Sequence, residues 1–497
     1  KETTIIDGGL ITNTITIENG EDDTTLLKNF TIQNGYSTYG GGVMVINNSQ
    51  INLHSLIISN NTAVISGSGI DVYDNSEVFL EDVIVENNSS VNAAIYVALY
   101  SNITINSSII KNNIASEDCG GILINDNSNA DINETEIIQN TATDDAGGIL
   151  IVNGSTVNIN SSLIGDNNSE DEGGGIIVAN NSFVNIFQST IENNFTNTGG
   201  GIFLVNDSYA SVLECTIDNN ESYYGGGIFA HLSSIDLTRS LIFNNNAQSG
   251  SGIYVFRSDA NCLNTTITNN YSTGVASIWL DGGNLAIINS IIYYNYPNHI
   301  YIDDDPYLES NNLMVGYSNI QGGEENILSD ESTSEIYWEA GNIDVDPYFD
   351  NANYNNYTLE SASLCIDAGT SFFIWESDTL LNLTPNDFYG SNPDIGAFEY
   401  GMMNIEFELA KNYILHPAFP NPFNPITQLS YEMAQNEDIL ISIYDLSGKH
   451  VQTLVEGYKT AGYHSTSWDA SSYPSGVYLI LMESGSFTQT QKVVLIK

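Results

Sequence analysis

Apolar and polar residues alternate along most of this chain, and the alternation itself repeats in units. In GIIVANNSFVNIFQSTIENN, residues 175–194, alternate positions are apolar or small, which predicts that one face of each short segment points into a core. Alternating β-branched residues interrupted by Asn, Ser and Gly are typical of short β-strands. The predicted inward residues of this unit are Ile176, Val178, Ser182, Val184, Ile186, Ser189 and Ile191. The next unit repeats them as Ile202, Leu204, Ser208, Ala210, Val212, Cys215 and Ile217.

The repeating unit is about 26 residues long. Two tracks of residues keep this spacing in register with each other over nine steps, which chance does not produce. The first track is an Ile or Val after a small residue: Val43, Ile70, Ile95, Ile122, Ile149, Ile176, Ile202, Ile228, Ile253 and Ile278. The second track is Asn34, Asn60, Asn87, Asn112, Asn140, Asn167, Asn193, Asn219, Asn244 and Asn269.

Several short strands in a unit of this length predict a coil in which each repeat forms one turn. Strands of successive turns then pair in parallel, and equivalent residues stack about 4.8 Å apart. We expect the Ile track to form an aliphatic ladder inside the coil and the Asn track to form an amide ladder at a bend. The sequence predicts ten clear turns and one or two irregular ones.

The pattern GGGIxV…S…INxSxIxNN resembles the right-handed parallel β-helix family, which has the pectate-lyase-like fold. The resemblance extends to about residue 400, because SLCIDAGT (363–370) and NPDIGAFEY (392–400) are similar to the closing segment of exported bacterial repeat proteins of this shape. It implies a right-handed parallel β-helix of about 10–12 coils. With the small antiparallel Ig-like β-sandwich that the strands and turn signals of the tail predict, the whole chain is expected to be all-β. We assign residues 1–300 to the repeats and 301–400 to irregular coils and a cap over the open end of the helix.

The last sixth of the chain has a different composition, with clustered prolines from Pro417 and then alternating strands separated by turn signals. FPNPFNPIT, ISIYDLSGKHVQTLVEG, SGVYLILMESG and QKVVLIK resemble the C-terminal sorting domain of type IX secretion cargo. We therefore expect a linker at 401–411 and a sandwich at 412–497. The resemblance implies contact with the secretion and surface-attachment machinery, and export through the outer membrane of a Gram-negative bacterium.

Ten Lys and Arg against 61 Asp and Glu give a formal net charge of −51. Nucleic acids and anionic membrane surfaces both require basic patches, so this balance argues against them as partners. No apolar run approaches the roughly 18 residues of a membrane span, so no transmembrane segment is predicted. The chain opens with KETTIIDGG, which resembles a strand and a turn, and we expect the signal peptide to precede it.

Acidic pairs recur five and four residues before the track Ile in three successive turns. They are Glu117, Asp118, Asp144, Asp145, Asp171 and Glu172. Stacked carboxylates repel one another, and three hypotheses account for them: solvation in salty water, a hard cation such as calcium, or catalysis by a carboxyl whose neighbours raise its pKa. Asp303, Asp304 and Asp305 form a second, weaker cation candidate.

The β-helix family includes polysaccharide lyases and hydrolases. Lyases acting on polyuronates need basic side chains, yet residues 29–400 contain only Lys111, Arg239 and Arg257, which do not cluster. The Asn-Thr-Asp, His-Gly and Arg-x-Lys signatures expected of polygalacturonase-type hydrolases are also missing from the sequence. We therefore favour a protein without catalytic activity, and keep a polysaccharide hydrolase or lyase that uses the acid stack as the alternative.

Aromatic residues are concentrated in the eighth to tenth turns. Tyr254, Phe256 and Trp279 are candidates for stacking on sugar rings, although ordinary packing on the sheet surface also explains them. The sequence thus favours an exported, surface-displayed or extracellular β-helix that acts as an adhesin, a glycan-binding protein or a structural element. The predicted partners are a polysaccharide or cell-surface glycan, or copies of the chain joined end to end through unpaired strand edges.

Overall fold

The computed structural model describes residues 4–303, 311–329, 334–375, 378–401 and 413–497, with 416–417, 419–420, 435–436, 460–461 and 486 excepted. The chain divides into two compact units, Lys1–Met402 and Met403–Lys497. Of the predicted linker 401–411, only Gly401 lies within the described residues.

The first unit is a right-handed parallel coil of about twelve turns, each built from up to four short strands. Strands in equivalent positions of successive turns pair in parallel and form four strand columns. Columns one and two belong to one 24-stranded sheet, and column three is a 13-stranded sheet. This architecture confirms the parallel β-helix predicted from the sequence.

The strand bounds follow the repeat closely. Column one contains Ile15–Ile17, Val43–Val45, Ile70–Tyr73, Ile95–Ala98, Ile122–Ile124, Ile149–Ile151, Ile176–Ala179, Ile202–Val205, Ile228–His231, Ile300–Ile302 and Leu328–Ser329. Column two contains Leu26–Lys28, Gln50–His54, Glu77–Glu81, Asn102–Asn106, Asn129–Asn133, Thr156–Asn160, Phe183–Phe187, Tyr209–Leu213, Ser234–Thr238, Asn311–Gly316 and Glu335–Trp338. The long strands Ile253–Leu263 and Ile278–Ile288 run through both columns.

The third and fourth columns close each turn. Column three contains Ile5–Asp7, Thr31–Gln33, Ile57–Ser59, Ile84–Glu86, Ile109–Lys111, Glu136–Ile138, Leu163–Gly165, Thr190–Glu192, Thr216–Asp218, Leu241–Phe243, Thr266–Thr268, Ile291–Tyr293 and Asn319–Ile320. Column four contains Tyr36–Tyr39, Thr62–Ser66, Ser89–Ser90, Ile114–Ala115 and Thr141–Ala142, and later Asn246–Ala247 and Tyr271–Ser272.

The interior of the coil is aliphatic. Ile122 pairs with Ile149 and Ile149 with Ile176, and all three side chains are fully buried. The remaining members of the predicted Ile track are also fully buried and belong to the same core cluster. The predicted aliphatic ladder is therefore confirmed.

Buried asparagines form a hydrogen-bonded ladder at the bend between columns three and four. The backbone N–H and the Nδ2 of Asn140 both donate to Oδ1 of Asn167, at 3.0 and 3.1 Å. Asn167 donates to Oδ1 of Asn194 in the same way, at 3.1 Å for both bonds. The ladder runs through Asn61, Asn88, Asn113, Asn140, Asn167, Asn194, Asn220, Asn245, Asn270 and Asn295.

The predicted Asn track was wrong in register at eight of its ten positions, because only Asn140 and Asn167 belong to the ladder. The other eight lie one position earlier and have the positive φ angles that asparagine tolerates better than most residues. They are Asn34, Asn60, Asn87, Asn112, Asn193, Asn219, Asn244 and Asn269. Where two asparagines are adjacent, the first adopts the positive φ angle that turns the chain. The second accepts a hydrogen bond from a buried backbone N–H of the preceding turn.

Hydroxyl side chains supply equivalent ladders at two of the other three bends. Between columns one and two, the backbone N–H of Ser128 donates to Oγ of Ser155, and that of Ser155 to Oγ of Ser182, both at 3.3 Å. Between columns two and three, the N–H of Thr135 donates to Oγ of Ser162 at 3.1 Å. Each of these bends therefore satisfies its buried backbone donors with a side chain from the adjacent turn.

The irregular segment at 301–400 first continues the coil, because Glu335–Trp338 pairs in parallel with Asn311–Gly316 of the preceding turn. It then forms the antiparallel pairs Phe349–Asn351 with Asn356–Leu359 and Phe372–Trp375 with Asp378–Asn382. Two 3₁₀ turns, Glu324–Asn326 and Ala352–Tyr354, also occur here.

The later part of this segment lies along the flank of the coil. The N–H of Ala397 donates to Oγ1 of Thr266 at 3.0 Å, and Nδ2 of Asn269 donates to the hydroxyl of Tyr357 at 2.8 Å. These contacts attach it to the side of the turns near residue 267. That the segment also caps the open end of the helix stays a prediction.

The second unit contains two antiparallel sheets. One has the order Ile414–Leu415, Ile426–Met433, Gly462–Asp469, and the other His450–Lys459, Glu437–Asp445, Gly476–Ser484, Phe487–Leu495. Trp468 is fully buried between residues of both sheets, including Leu429 and Ile443. This arrangement is consistent with the predicted Ig-like sandwich. Within the described part of the chain, no helix is long and apolar enough to cross a membrane.

The amide ladder predicts a large difference between two asparagine substitutions. Asn167→Ala leaves the buried N–H of Asn140 without its acceptor, which we expect to destabilise the coil by about 2–3 kcal/mol. The control Asn129→Ala removes an exposed side chain that donates only to Asn102, and should cost about 0.5 kcal/mol or less. Urea denaturation of both variants measures the difference. Equal midpoints would contradict a stabilising role for the ladder.

Candidate functional site

The acidic pairs lie in the loop that leads from column four to column one. This loop turns sharply, because the residue after each pair has a positive φ: 58° at Cys119, 53° at Ala146 and 60° at Gly173. The following glycines are required by the close approach of adjacent turns, since a Cβ on Gly175 would lie 2.5 Å from the carbonyl oxygen of Gly201. The combination of acids and glycines in SEDEGGGI therefore marks a tight loop that repeats in register.

The six predicted acids stack on successive turns, but in two rows instead of one. Consecutive residues point in different directions, so Asp118, Asp145 and Glu172 are half-buried and line a groove. The other row, Glu117, Asp144 and Asp171, is exposed on the rim. Backbone hydrogen bonds hold the rows in register; for example, the N–H of Asp171 donates to the carbonyl of Asp144 at 3.1 Å.

The two rows meet at the centre of the stack. Asp144, Asp145 and Asp171 each offer a carboxylate oxygen, and these oxygens lie within 4.8 Å of one another. This oxygen-only donor set fits the preference of calcium for carboxylates, although exposed acidic groups often occur without an ion. Calcium binding by the six acids stays a prediction.

Burial and mutual repulsion change the protonation of the inner row. Burial raises the pKa of Asp145 to about 7, with a further contribution from Glu172 and the other neighbouring carboxylates. Burial also raises the pKa of Asp118 and of Glu172, again reinforced by adjacent acids. The described residues that line the groove include no basic side chain, so no internal cation relieves this repulsion.

The groove beside the inner row is about 370 Å³ in volume. Its floor is the outward face of column one, where Leu123, Leu150 and Ile177 stack on successive turns. Its opposite wall is an amide row, made of half-buried Asn125 and exposed Asn153, Asn180 and Asn206. These side chains bond along the row, with Nδ2 of Asn153 donating to Oδ1 of Asn125 at 2.8 Å and Nδ2 of Asn206 to Oδ1 of Asn180 at 3.1 Å.

The floor becomes aromatic in the later turns and forms what we call the aromatic ladder. Its members, each pairing with the next, are Phe203, Phe229, Tyr254, Trp279 and Tyr301. Ring centroids are 5.3 Å apart for Phe203 and Phe229, 4.8 Å for Phe229 and Tyr254, and 5.6 Å for Tyr254 and Trp279. The aliphatic residues and the rings as far as Tyr254 pack in one cluster, and Ile177 pairs with Phe203, so the floor continues directly into the aromatic ladder.

The structure brings together the three aromatic residues predicted from the sequence. Tyr254 lies 6.2 Å from Phe256 and 5.6 Å from Trp279 between ring centroids, and all three are half-buried. The hydroxyl of Tyr254 donates to Oδ2 of Asp281 at 3.2 Å, which fixes its orientation. His231, which is not among the residues predicted from the sequence, also belongs here, because its ring lies 4.8 Å from that of Phe256. Burial and the charge of Arg257 lower the pKa of His231, which favours a neutral ring at pH 7.

The rest of the ladder could have been found from the repeat, because its members directly follow the track Ile in successive turns. Phe203 and Phe229 are buried, so they support the accessible rings more than they offer contact surface. Of the weaker cation candidate, Asp303 is half-buried and its carbonyl accepts from Nδ2 of Asn311 at 2.9 Å. Asp304 and Asp305 lie outside the described residues.

Comparison with known protein families gives two matches. Residues 13–195 match the family model described as right handed beta helix region. Residues 417–497 match the secretion system C-terminal sorting domain. No curated protein is similar to the chain. The comparisons therefore support the fold and the route of export, and do not identify a ligand.

The pKa of Asp145 predicts that the coil loses stability as pH rises. The folded carboxyl holds its proton up to about pH 7 and the unfolded one only to about 3.8, so the stabilising effect of protonation disappears between these values. We expect Asp145→Asn to be about 1 kcal/mol more stable than the parent at pH 8, after allowance for solvent screening, and to gain much less at pH 5. Thermal melts at both pH values measure this, with exposed Glu136→Gln as the control. An equal gain at both pH values would contradict the prediction.

The donor set at Asp144, Asp145 and Asp171 predicts a stabilising effect of calcium. Millimolar calcium should raise the melting temperature of the full chain by about 2 °C or more, magnesium should act less, and EDTA should reverse the gain. Asp144→Asn with Asp171→Asn should abolish the response, whereas Glu77→Gln, an exposed acid on another face, should preserve it. A calcium response that survives the double substitution would exclude this site.

Proposed function

We propose that this exported protein, a right-handed parallel β-helix with a type IX secretion sorting tail at its C-terminus, binds an extended glycan along the groove of its coil. The sorting tail implies secretion to the cell surface or the surrounding medium. A glycan-binding role at that location is our proposal, and it makes the protein an adhesin or a matrix-binding component.

The aromatic ladder is the observation that carries this proposal. Rings recur once per turn where the floor continues beyond the groove, and Tyr254, Phe256 and Trp279 are half-buried, so each exposes part of its ring on that face of the coil. The C–H faces of sugar rings pack on aromatic rings, and such contacts exceed what buried area alone provides. A row of rings spaced by one turn suits a ligand that is itself a repeating polymer.

The amide row supplies the polar contacts that such a ligand needs. Asn153, Asn180 and Asn206 are exposed, and each amide has hydrogen-bonding capacity beyond the one or two bonds it makes along the row. Sugar hydroxyls both donate and accept hydrogen bonds. Side-chain amides can do the same, whereas a wall made only of donors or only of acceptors would satisfy one of the two functions. Sites that bind small molecules commonly combine an apolar surface with a few positioned polar groups in this way.

Hydrolysis of a polysaccharide is a second candidate function, and one observation favours it. Asp145 has a pKa of about 7 and lies beside the exposed carboxylates of Asp144 and Asp171. A protonated carboxyl next to an ionised one is the arrangement that glycoside hydrolases use, with separations of roughly 5 Å in retaining enzymes. In this alternative Asp145 is the general acid and Asp171 the partner carboxylate.

A test of the proposed function uses a panel of oligosaccharides and the full chain. We expect retention of at least one neutral or amino-substituted glycan, with affinity falling about five- to tenfold for each of Tyr254→Ala and Trp279→Ala. The control Tyr271→Ala removes an exposed ring in column four, away from the aromatic ladder, where it stacks on Tyr296 of the next turn. This substitution should leave binding unchanged. Calorimetry measures the affinities.

The same samples separate the alternatives. New chain ends that appear with the parent and vanish with Asp145→Asn would make the protein a hydrolase. Equal loss of binding for Tyr271→Ala and Trp279→Ala would contradict the groove as the binding site. No retained glycan, together with concentration-dependent association in sedimentation, would favour the end-to-end assembly predicted from the sequence.

A further inference from the structure

We infer that the glycan bound in this groove carries positive charge, as a polysaccharide with free, protonated amino groups does. This inference rests on the proposed function and specifies its ligand class. It follows from the charge, floor and walls of the groove over the turns between Asp118 and Asn206, and from the aromatic ladder that continues the floor to Trp279.

The charge of the groove is negative over three successive turns. Asp118, Asp145 and Glu172 stand in one wall at intervals of one turn, and no described lining residue is basic. Lys111 pairs with Glu86 at 3.4 Å on column three, and Arg239 pairs with Glu214 at 2.8 Å. Arg257 lies in the later turns, where its charge lowers the pKa of His231, and it is not among the residues that line the groove. Uncompensated carboxylates in a concave surface focus the field and attract cations into it. A polyuronate would be repelled by the same wall.

The rings that continue the floor beyond the groove also attract cations, except beside Phe256, where the next residue is the exposed Arg257. The aromatic faces of Tyr254 and Trp279 attract ammonium groups through their ring quadrupoles, and partial burial strengthens that attraction. A ligand with an apolar ring face and an amino group therefore finds a complementary contact both in the groove and on these rings. A neutral glycan uses only the rings and the amides.

The backbone around the groove favours a glycan over a basic peptide. Extended peptides bind β-structure chiefly by adding a strand to a free edge. The strands of column one have no such edge here, because Ile149–Ile151 pairs with both Ile122–Ile124 and Ile176–Ala179. The opposite wall offers side-chain amides at one per turn, which suits a polymer whose hydroxyls repeat along its length.

The experiment compares two glucosamine oligomers of the same length, one fully deacetylated and one fully N-acetylated. Calorimetry on the full chain at pH 7 and physiological salt, where Asp145 is about half ionised, should show the deacetylated oligomer binding at least tenfold more tightly. The variant Asp118→Asn, Asp145→Asn, Glu172→Gln should lose this preference and keep its binding of the acetylated oligomer. These replacements keep the side-chain shapes and remove repulsion, so we expect the fold to persist, and a melting curve checks it.

A matched control separates the groove from the overall charge of the protein. Glu77→Gln, Glu136→Gln and Glu221→Gln change the net charge by the same amount at exposed sites outside the groove. This variant should keep the preference for the deacetylated oligomer. Equal losses in the two triple variants would show diffuse attraction to an acidic protein and would overturn the inference.

The remaining outcomes distinguish the inference from the proposed function. Binding of the acetylated oligomer without any preference, lost in Trp279→Ala, would overturn the inference and leave the proposed function standing. An oligolysine of equal charge that binds more tightly, through the same three acids, would replace the glycan with a basic peptide. Binding of no oligosaccharide of the panel would end both proposals.

Discussion

The stacking of each residue on its equivalent in the next turn is the constraint on which the whole coil depends. The buried asparagines enforce it most directly, because Oδ1 of each residue accepts both the backbone N–H and the Nδ2 of the preceding one, as between Asn140 and Asn167. A turn of different path would leave these buried donors unpaired at a cost of about 1–3 kcal/mol each. The ladders therefore fix the length of the turn and the register of every column.

Strict stacking has opposite consequences for different side chains. Stacking stabilises aliphatic residues such as Ile149 and Ile176, because side chains of the same shape pack without gaps inside the coil. Stacking destabilises ionised carboxylates, because Asp118, Asp145 and Glu172 repel one another and cannot move apart while the backbone holds its register. The same rigidity aligns the aromatic rings at one per turn. A groove with ordered rows of charge, amide and ring is thus a product of the fold, and it makes the coil suited to a repeating ligand.

The sequence predicted the coil because the Ile track and the stacking rule involve single residues at a fixed spacing. It predicted the amide ladder in the wrong register, since two adjacent asparagines both recur and only the backbone shows that one, such as Asn193, takes a positive φ. It placed the six acids on the correct loop but could not separate Asp145 from Asp144, because which of two loop residues faces inward depends on loop geometry. The sequence predicted only part of the aromatic ladder, because alternation shows which side chains point outward but not which of them lie on the same face as a groove.

Hydrogen exchange of the full chain with and without bound glycan tests the central claim most directly. We expect slower exchange in peptides that cover the groove loops at 117–119, 144–146 and 171–173, and in the strand Ile278–Ile288. Column three, for example Glu136–Ile138, should exchange at the same rate in both states, because it lies on another face of the coil. Protection confined to column three or to the C-terminal sandwich, with the groove loops unchanged, would contradict the claim that this groove holds the ligand.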